Sequence, residues 1–540
     1  MKQIPQYNNN NNNNNNSIAT PPIFQPKSDS SQNNQDTEIE SKFQSRQDQF
    51  NKEENFSQIK ESEISKELSL GENNRNKIFM QKRLNKKTNI ENTFSLLNAL
   101  KIQKEIYIQL TNEEVKFTDF SKIINLFHSQ NIDDKFKGLI GLRKILSLEP
   151  NAPIQEIIDL KIVPELINLL DNPLNEFKYE AIYSLCNIAS GTAEQANTII
   201  IYDGIPKISC LLDSQIEEIK SQTIWLISNL VSDSSKIRDT LISQKILDKV
   251  LTTLASTNNE KYIELSTWCV SNFFRIKPIP NYDICSKAFK IIARAVLIDT
   301  KEDDNFISDS CSFFSVLTQK YKEFNQNLID TRLLQKIIKY LDKPKKNIIR
   351  PCLRIIGNIA CTDNANQTQT LIDLGALDKL KYTINNENDK IRMESAFILS
   401  NIASGTQRQK ETLIEQNFVQ ILYKKFNNEK PKIKKEAFIA IANLTYVENE
   451  KYMKIIFDDN ILGIISELLK NEDNTFIIIG LESLSNILAF GEKKGKKKEF
   501  EHECEKMGIL DHLEKLQMKE SQIIYEKALQ ILETYFEIEG

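Results

Sequence analysis

The chain has 540 residues, 27% of them charged, and a net charge of only −4. That length exceeds one compact core, so several domains or a repeat array is expected. The near-neutral balance argues against a uniformly basic nucleic-acid binder. Gly and Pro number 14 each, few for a chain built of turns and strands, and the eight cysteines form no CxxC pair, which suits reduced thiols in cytoplasm or nucleus.

Residues 1–73 are rich in Asn, Gln and Ser, with an unbroken asparagine run from Asn8 to Asn16 and no early apolar segment of the kind that directs export. Such sequence buries too little apolar area to offset its ordering entropy, so it is expected to be disordered. Residues 74–115 open on the basic stretch "NRNKIFMQKRLNKKTN", with Arg75, Lys77, Lys82, Arg83, Lys86 and Lys87. The stretch just upstream, "KEENFSQIKESEISKELSLGE", is acidic.

From residue 116 to 540 the texture changes. Apolar residues recur at spacings of three and four, as in "KIVPELINLL", Lys161 to Leu170, which is helical periodicity. Pro164 sits where a first-turn proline is tolerated, because its missing N–H has no helical partner there. Related units return as "DGIPKISCLL", "LGALDKLKYTI" and "MGILDHLEKL". The period is set by Asn187, Asn229, Asn272, Asn358, Asn401, Asn443 and Asn486, which lie 42 or 43 residues apart except for one gap of 86. That gap spans two periods, with Val316 at the expected place of an asparagine. A period near 40 with only helical texture is the signature of an armadillo or HEAT array. The expectation is an all-α, right-handed superhelical solenoid of about ten repeats, whose units share one core because none can bury its own apolar face alone. No uncharged apolar run reaches the roughly 18 residues that cross a bilayer, so no membrane insertion is expected.

The chain has two tryptophans, Trp225 and Trp268, and each stands four residues before one of these asparagines, Asn229 and Asn272. Residues at i and i+4 share a helix face. Stacked units therefore align the pairs as a row of carboxamides beside a row of aromatics. A carboxamide offers a donor and an acceptor, which matches a peptide group. Neighbouring indoles make slots for the aliphatic stem of a lysine or arginine, and their π faces attract its charge. Asp233 stands where it meets an ammonium. This reads as a groove for an extended, lysine-rich peptide, with packing or turn stabilisation as the competing role for Trp and Asn.

Other candidates carry less. The lysine run "EKKGKKKEF", Glu492 to Phe500, reads first as a solvated loop, and direct nucleic-acid binding is not expected. His502, Cys504 and His512 fit no standard metal spacing, so no metal is expected. There is no GxSxG elbow, P-loop, dinucleotide loop or HExxH, so neither an enzyme nor a cofactor is expected.

"YEAIYSLCNIASGTAEQ", "STWCVSNFFRIKPIP", "CLRIIGNIACTDNANQTQTLIDLGAL", "GLRKILSLEPNAPIQEIIDLKIVPELINLL" and "IIYEKALQILETYFE" resemble importin-α, also called karyopherin-α, in order along about 120 to 537. The resemblance implies a nuclear import adaptor that shuttles between cytoplasm and nucleus. Its partners would be cargo proteins with basic nuclear localisation signals, importin-β, and an export receptor that recycles it. It implies a major signal-binding site at Tyr183, Asn187, Gly191, Gln222, Trp225, Asn229, Asp233, Trp268 and Asn272, with Arg275 between sites. Here Tyr183 replaces a family tryptophan, Ala196 replaces the threonine that assists Gly191 and Asp233, and Ser312 replaces the fifth unit's tryptophan. It implies a minor site at Arg354, Asn358, Glu394, Phe397, Asn401, Glu436 and Asn443, with Phe397 and Ile439 in place of tryptophans, hence a weaker second site. The basic stretch within 74–115 resembles the later part of the family's importin-β-binding segment but lacks its arginine cluster. The alternative is an armadillo scaffold that binds basic peptides without carrier function.

Overall fold

The computed structural model describes residues 116–148, 152–299 and 301–536. The expected disordered segment 1–73 and the basic segment 74–115 lie outside the described residues. Every regular element among the described residues is helical.

The sequence dictates the helices through their ends. Asn131, Asn259, Asp303, Asn388 and Asp473 each stand in extended backbone just before a helix and accept from its first free N–H groups. Thr192 and Thr406 form reciprocal capping boxes with Gln195 and Gln409. Within most repeats a single left-handed residue joins the first helix to the second. Glycine fills that place at Gly375 and Gly508, but Lys161, Lys245, Arg332, Asn417 and Asn460 hold it elsewhere at φ of 57 to 66°. A Cβ in that region costs about 1 kcal/mol, which the packing of the following helix offsets.

The third helix of each repeat stacks on its counterpart in the next, and these ten form a continuous row. They are α1 (Ile132–Ile145), α2 (Asn175–Ala189), α3 (Glu217–Leu230), α4 (Glu260–Arg275), α5 (Asp304–Lys320), α6 (Lys346–Ala360), α7 (Asp389–Ala403), α8 (Pro431–Leu444), α9 (Asn474–Lys493) and α10 (Gln522–Tyr535). The helices between them, all but Tyr282–Ile298 shorter than the inner ones, pack against the row. One apolar core runs the whole way, from Ile123 to Phe536. The all-α solenoid of about ten repeats is therefore observed.

Three features show how the array tolerates irregular sequence. Val316, at the missing asparagine's place, lies on α5 and packs against the core. Pro351 lies inside α6, where it deprives the Asn347 carbonyl of its helical donor; the Ser308 hydroxyl of α5 donates to that carbonyl instead, at 3.0 Å. The 20-residue α9 is long and apolar enough to cross a membrane by length and composition. It packs here as a core helix: Ile477, Leu481, Leu484 and Ile487 are fully buried, and Glu482 near its centre pairs with Lys527 at 3.2 Å.

Ion pairs also tie repeats together. Arg392 of α7 holds Glu429, just before α8, through two bonds of 2.8 and 3.0 Å, and Lys425 adds a third at 3.2 Å. Burial pushes the Glu429 carboxyl up, but Arg392 and Lys425 outweigh it and hold it below the usual range. A carboxyl depressed in the folded state stabilises the fold above its unfolded pKa, about 4.3, and loses that contribution as pH falls through the folded value. Thermal unfolding at pH 7 and pH 3.5 should therefore show a smaller acid loss for Glu429→Gln than for the wild type.

Candidate functional site

The seven asparagines project from seven inner helices, α2, α3, α4, α6, α7, α8 and α9, and form a ladder. Its chemistry is more specific than the sequence suggests. The Asn187 amide donates to the Arg143 carbonyl (3.3 Å) and the Ser147 hydroxyl (2.9 Å) of the preceding repeat. Asn229 donates to the Cys186 carbonyl at 2.9 Å, and Asn272 to the Ser228 hydroxyl at 2.7 Å. Asn358 donates to the Ser315 carbonyl (3.2 Å) and Asn443 to the Ser400 carbonyl (3.0 Å). Asn401 reaches the Cys361 sulfur and Asn486 the Thr445 hydroxyl.

The rule is common to most of them: an asparagine donates to a carbonyl or side chain near the end of the previous inner helix. The expectation that each carboxamide offers a donor and an acceptor to a peptide is therefore narrowed. The N–H₂ groups bind the repeats to one another. Among the described residues nothing donates to the seven Oδ1 atoms, so the ladder offers acceptors.

The two indoles stand on α3 and α4. Their ring centroids are 5.6 Å apart at 70°, an edge-to-face contact. That spacing leaves no room for an aliphatic stem between them, so the expected slot is closed in this structure. Trp225 is 9% exposed and belongs to the core, whereas Trp268 is half-buried. Tyr183 on α2 is also half-buried, and the Arg143 guanidinium lies 5.2 Å from its ring centroid. Arg143 in turn bonds the buried Glu180 carboxylate at 2.5 Å. The first aromatic rung thus already carries a cation from its own chain.

Gly191 follows α2 in a turn where an added Cβ would stand 2.2 Å from the Gln195 carboxamide, so the capping box itself requires glycine there. Among the described residues no donor reaches the Gly191 carbonyl. Asp233 is exposed just past α3, and Ala196 is buried beside the turn. Gln222 is buried and donates to the Cys186 sulfur at 3.3 Å. Arg275 donates to the Ser232 carbonyl at 3.2 Å and is exposed at the end of α4. The structure thus brings the residues from Tyr183 to Arg275 onto three consecutive inner helices and their end loops.

The second set lies on α6, α7 and α8. Arg354 pairs with Glu394 at 3.1 Å, and Ser400 donates to Glu436 at 2.6 Å. Phe397 is 5% exposed and lies against Gly357; Ile439 is half-buried. This set offers less accessible aromatic surface than the first. Ser312 lies on α5, where the row has neither Trp nor Asn. The basic residues Arg75, Lys77, Lys82, Arg83, Lys86 and Lys87 lie outside the described residues. Among the described residues no cluster of His, Cys, Asp or Glu is arranged to hold a metal ion. The sequence reading missed Arg143 and Glu180. Their only signal was that Arg143 falls one period before Asn187.

Comparison with known proteins places this geometry. Residues 150–190 match the armadillo/β-catenin-like repeat and residues 503–540 the atypical Arm repeat. The importin subunit alpha-7 of Arabidopsis thaliana is 34% identical over 77% of this chain and 81% of its own length. The importin subunit alpha-1a of Oryza sativa subsp. japonica is 29% identical over 79% and 82%. The importin subunit alpha-B of Dictyostelium discoideum is 31% identical over 60% of each chain. Among solved structures, the crystal structure of an engineered protein superimposes with a TM-score of 0.66 over 77% of this chain and 98% of that one, at 20% identity, which speaks for the fold alone. With identity of this extent running along the same repeats that carry the Trp–Asn ladder, the chain belongs to the importin-α family of armadillo-repeat proteins.

Proposed function

We propose that this protein is a non-enzymatic nuclear import adaptor. Its row of inner helices binds the Lys/Arg-rich localisation signals of cargo proteins in extended form. The basic segment within 74–115 links the complex to importin-β, and an export receptor returns the emptied adaptor from nucleus to cytoplasm. The observation that carries the reading is the pair Trp225/Trp268 standing abreast of Asn229 and Asn272 on adjacent helices. A half-buried indole, carboxamide oxygens that accept from no described residue and the Asp233 carboxylate are together what a cationic side chain on an extended backbone requires. The second set on α6 to α8 keeps the acids and asparagines but little open aromatic surface, so a second basic cluster gains less there.

The test is import into permeabilised cells, with a fluorescent cargo bearing one basic cluster. Nuclear accumulation should require both this protein and importin-β, and should fall when Lys82, Arg83, Lys86 and Lys87 are changed together to alanine. Cargo binding that persists with no importin-β-dependent accumulation would instead mark a scaffold.

A further inference from the structure

The buried lysine Lys410 occupies an informative place. It follows α7 in the turn "SGTQRQK", Ser404 to Lys410. Five repeats earlier, after α2, the chain reads "SGTAEQA", Ser190 to Ala196. The two turns are built alike. Each has a threonine–glutamine capping box, Thr192 with Gln195 and Thr406 with Gln409. In each, a Cβ on the glycine would stand 2.2 or 2.0 Å from that glutamine's carboxamide oxygen. They differ at the fourth, fifth and seventh residues, and the seventh is the one that bears on the glycine carbonyl. After α2 it is Ala196, and the Gly191 carbonyl takes no bond from the described residues. After α7 it is Lys410, whose ammonium donates to the Gly405 carbonyl at 2.6 Å.

The surroundings correspond as well. Asp233 lies four residues after Asn229 on the repeat following Gly191. Glu448 lies five residues after Asn443 on the repeat following Gly405, and its charge acts on Lys410. Lys410 is 8% exposed. Burial lowers its ammonium to about 8, with the Glu448 carboxylate pulling it back up. A lysine held so far from water is retained because a carbonyl accepts its ammonium and a carboxylate's charge acts on it.

We propose that Lys410 is a resident occupant of a lysine-receiving pocket between α7 and α8, and that by filling this pocket it keeps the second half of the row from taking a ligand's lysine. The Gly405 turn shows in this chain's own side chains that such a turn accepts an ammonium; at the Gly191 turn no described residue provides one. The proposal rests on the reading of the row as a binder of basic peptides, and it makes Lys410 a residue that restricts this protein to signals with one basic cluster.

Inner helices of this kind pack about 10 Å apart, so the Gly191 and Gly405 turns, five repeats apart, are separated by about 50 Å. An extended chain covers this in about 15 residues at about 3.3 Å each. The test therefore uses two labelled peptides and the full chain, read by fluorescence anisotropy. One peptide has a single Lys/Arg cluster; the other adds a second cluster with its lysine about 15 residues from the first. The wild type should bind both within about twofold. Lys410→Ala, which recreates the Ala196 arrangement, should bind the two-cluster peptide at least tenfold more tightly and the one-cluster peptide unchanged. Lys410→Arg, which refills the pocket, should behave as the wild type. General damage to the fold would weaken both peptides together and give no such gain. Unchanged binding of both peptides by Lys410→Ala would overturn the proposal. Failure of every form to bind the one-cluster peptide would overturn the reading of the row itself, and this proposal with it.

Discussion

Trp268→Ala will weaken binding of a one-cluster basic peptide by about 30-fold, or about 2 kcal/mol, the scale of an aromatic anchor at the centre of an interface. The effect follows from where the two indoles sit. Trp225 is core, touching Trp268 edge-on and almost closed to water. Its removal would damage packing as well as binding, since a buried tryptophan changed to alanine costs about 3–5 kcal/mol. Trp268 is half-buried, so its removal takes less from the core. The asparagines make poorer probes. Asn229→Ala would also leave the Cys186 carbonyl with only its bond from the Ser190 N–H and loosen α3 from α2. The prediction is checked by anisotropy with thermal unfolding in parallel. A 30-fold loss with a midpoint lowered by only a few degrees supports the peptide-binding role, whereas equal affinity with a large fall in stability assigns Trp268 to packing.

The largest effect on stability is expected from Arg143→Met. Arg143 joins the first two repeats of the row three times over. Its guanidinium bonds Glu180 at 2.5 Å, it lies over the Tyr183 ring, and its carbonyl accepts from Asn187. Glu180 is 1% exposed. Removing one member of a buried pair strands the other, a change of about 3–5 kcal/mol. Because an array responds locally, amide exchange should rise in α1 and α2 first and leave α7 and α8 as in the wild type. Adding Glu180→Gln to Arg143→Met should restore part of the loss, because the stranded charge is then gone. Uniform exchange throughout, or no rescue, would show that the pair does not hold this end together.

Much of the architecture was legible from one residue type. Asparagine recurs because its amide ties each inner helix to the carbonyls and hydroxyls at the end of the one before it, and that fixed spacing reveals the period. The same logic located the degenerate repeat at Val316. What was not legible is pairing across a period. Nothing local marks Arg143 as the partner of Glu180, or Lys410 as the partner of the Gly405 carbonyl, because each contact is created by stacking or by a turn whose meaning depends on its counterpart. The left-handed links at Lys161, Lys245 and Arg332 were hidden for a related reason: packing forces a lysine or arginine where local preference favours glycine. Pro351 reads locally as a helix boundary, yet α6 runs through it because Ser308 of the neighbouring repeat takes over the vacated carbonyl.

The candidate site shows the same division. The identity of its residues was visible, but their state was not. The sequence cannot tell that the carboxamide donors are used internally or that the indoles meet edge to face. Opening a slot for a lysine stem therefore requires one indole to turn, and both tryptophans of the chain are at that spot.

This makes intrinsic tryptophan emission a site-specific signal, and its titration with an unlabelled one-cluster Lys/Arg peptide is the most direct test of the central claim. The account predicts a saturable change in emission at micromolar peptide or below, absent with a peptide in which the basic residues are replaced by serine. Emission that stays flat while the protein remains folded, with no peptide bound, would contradict it.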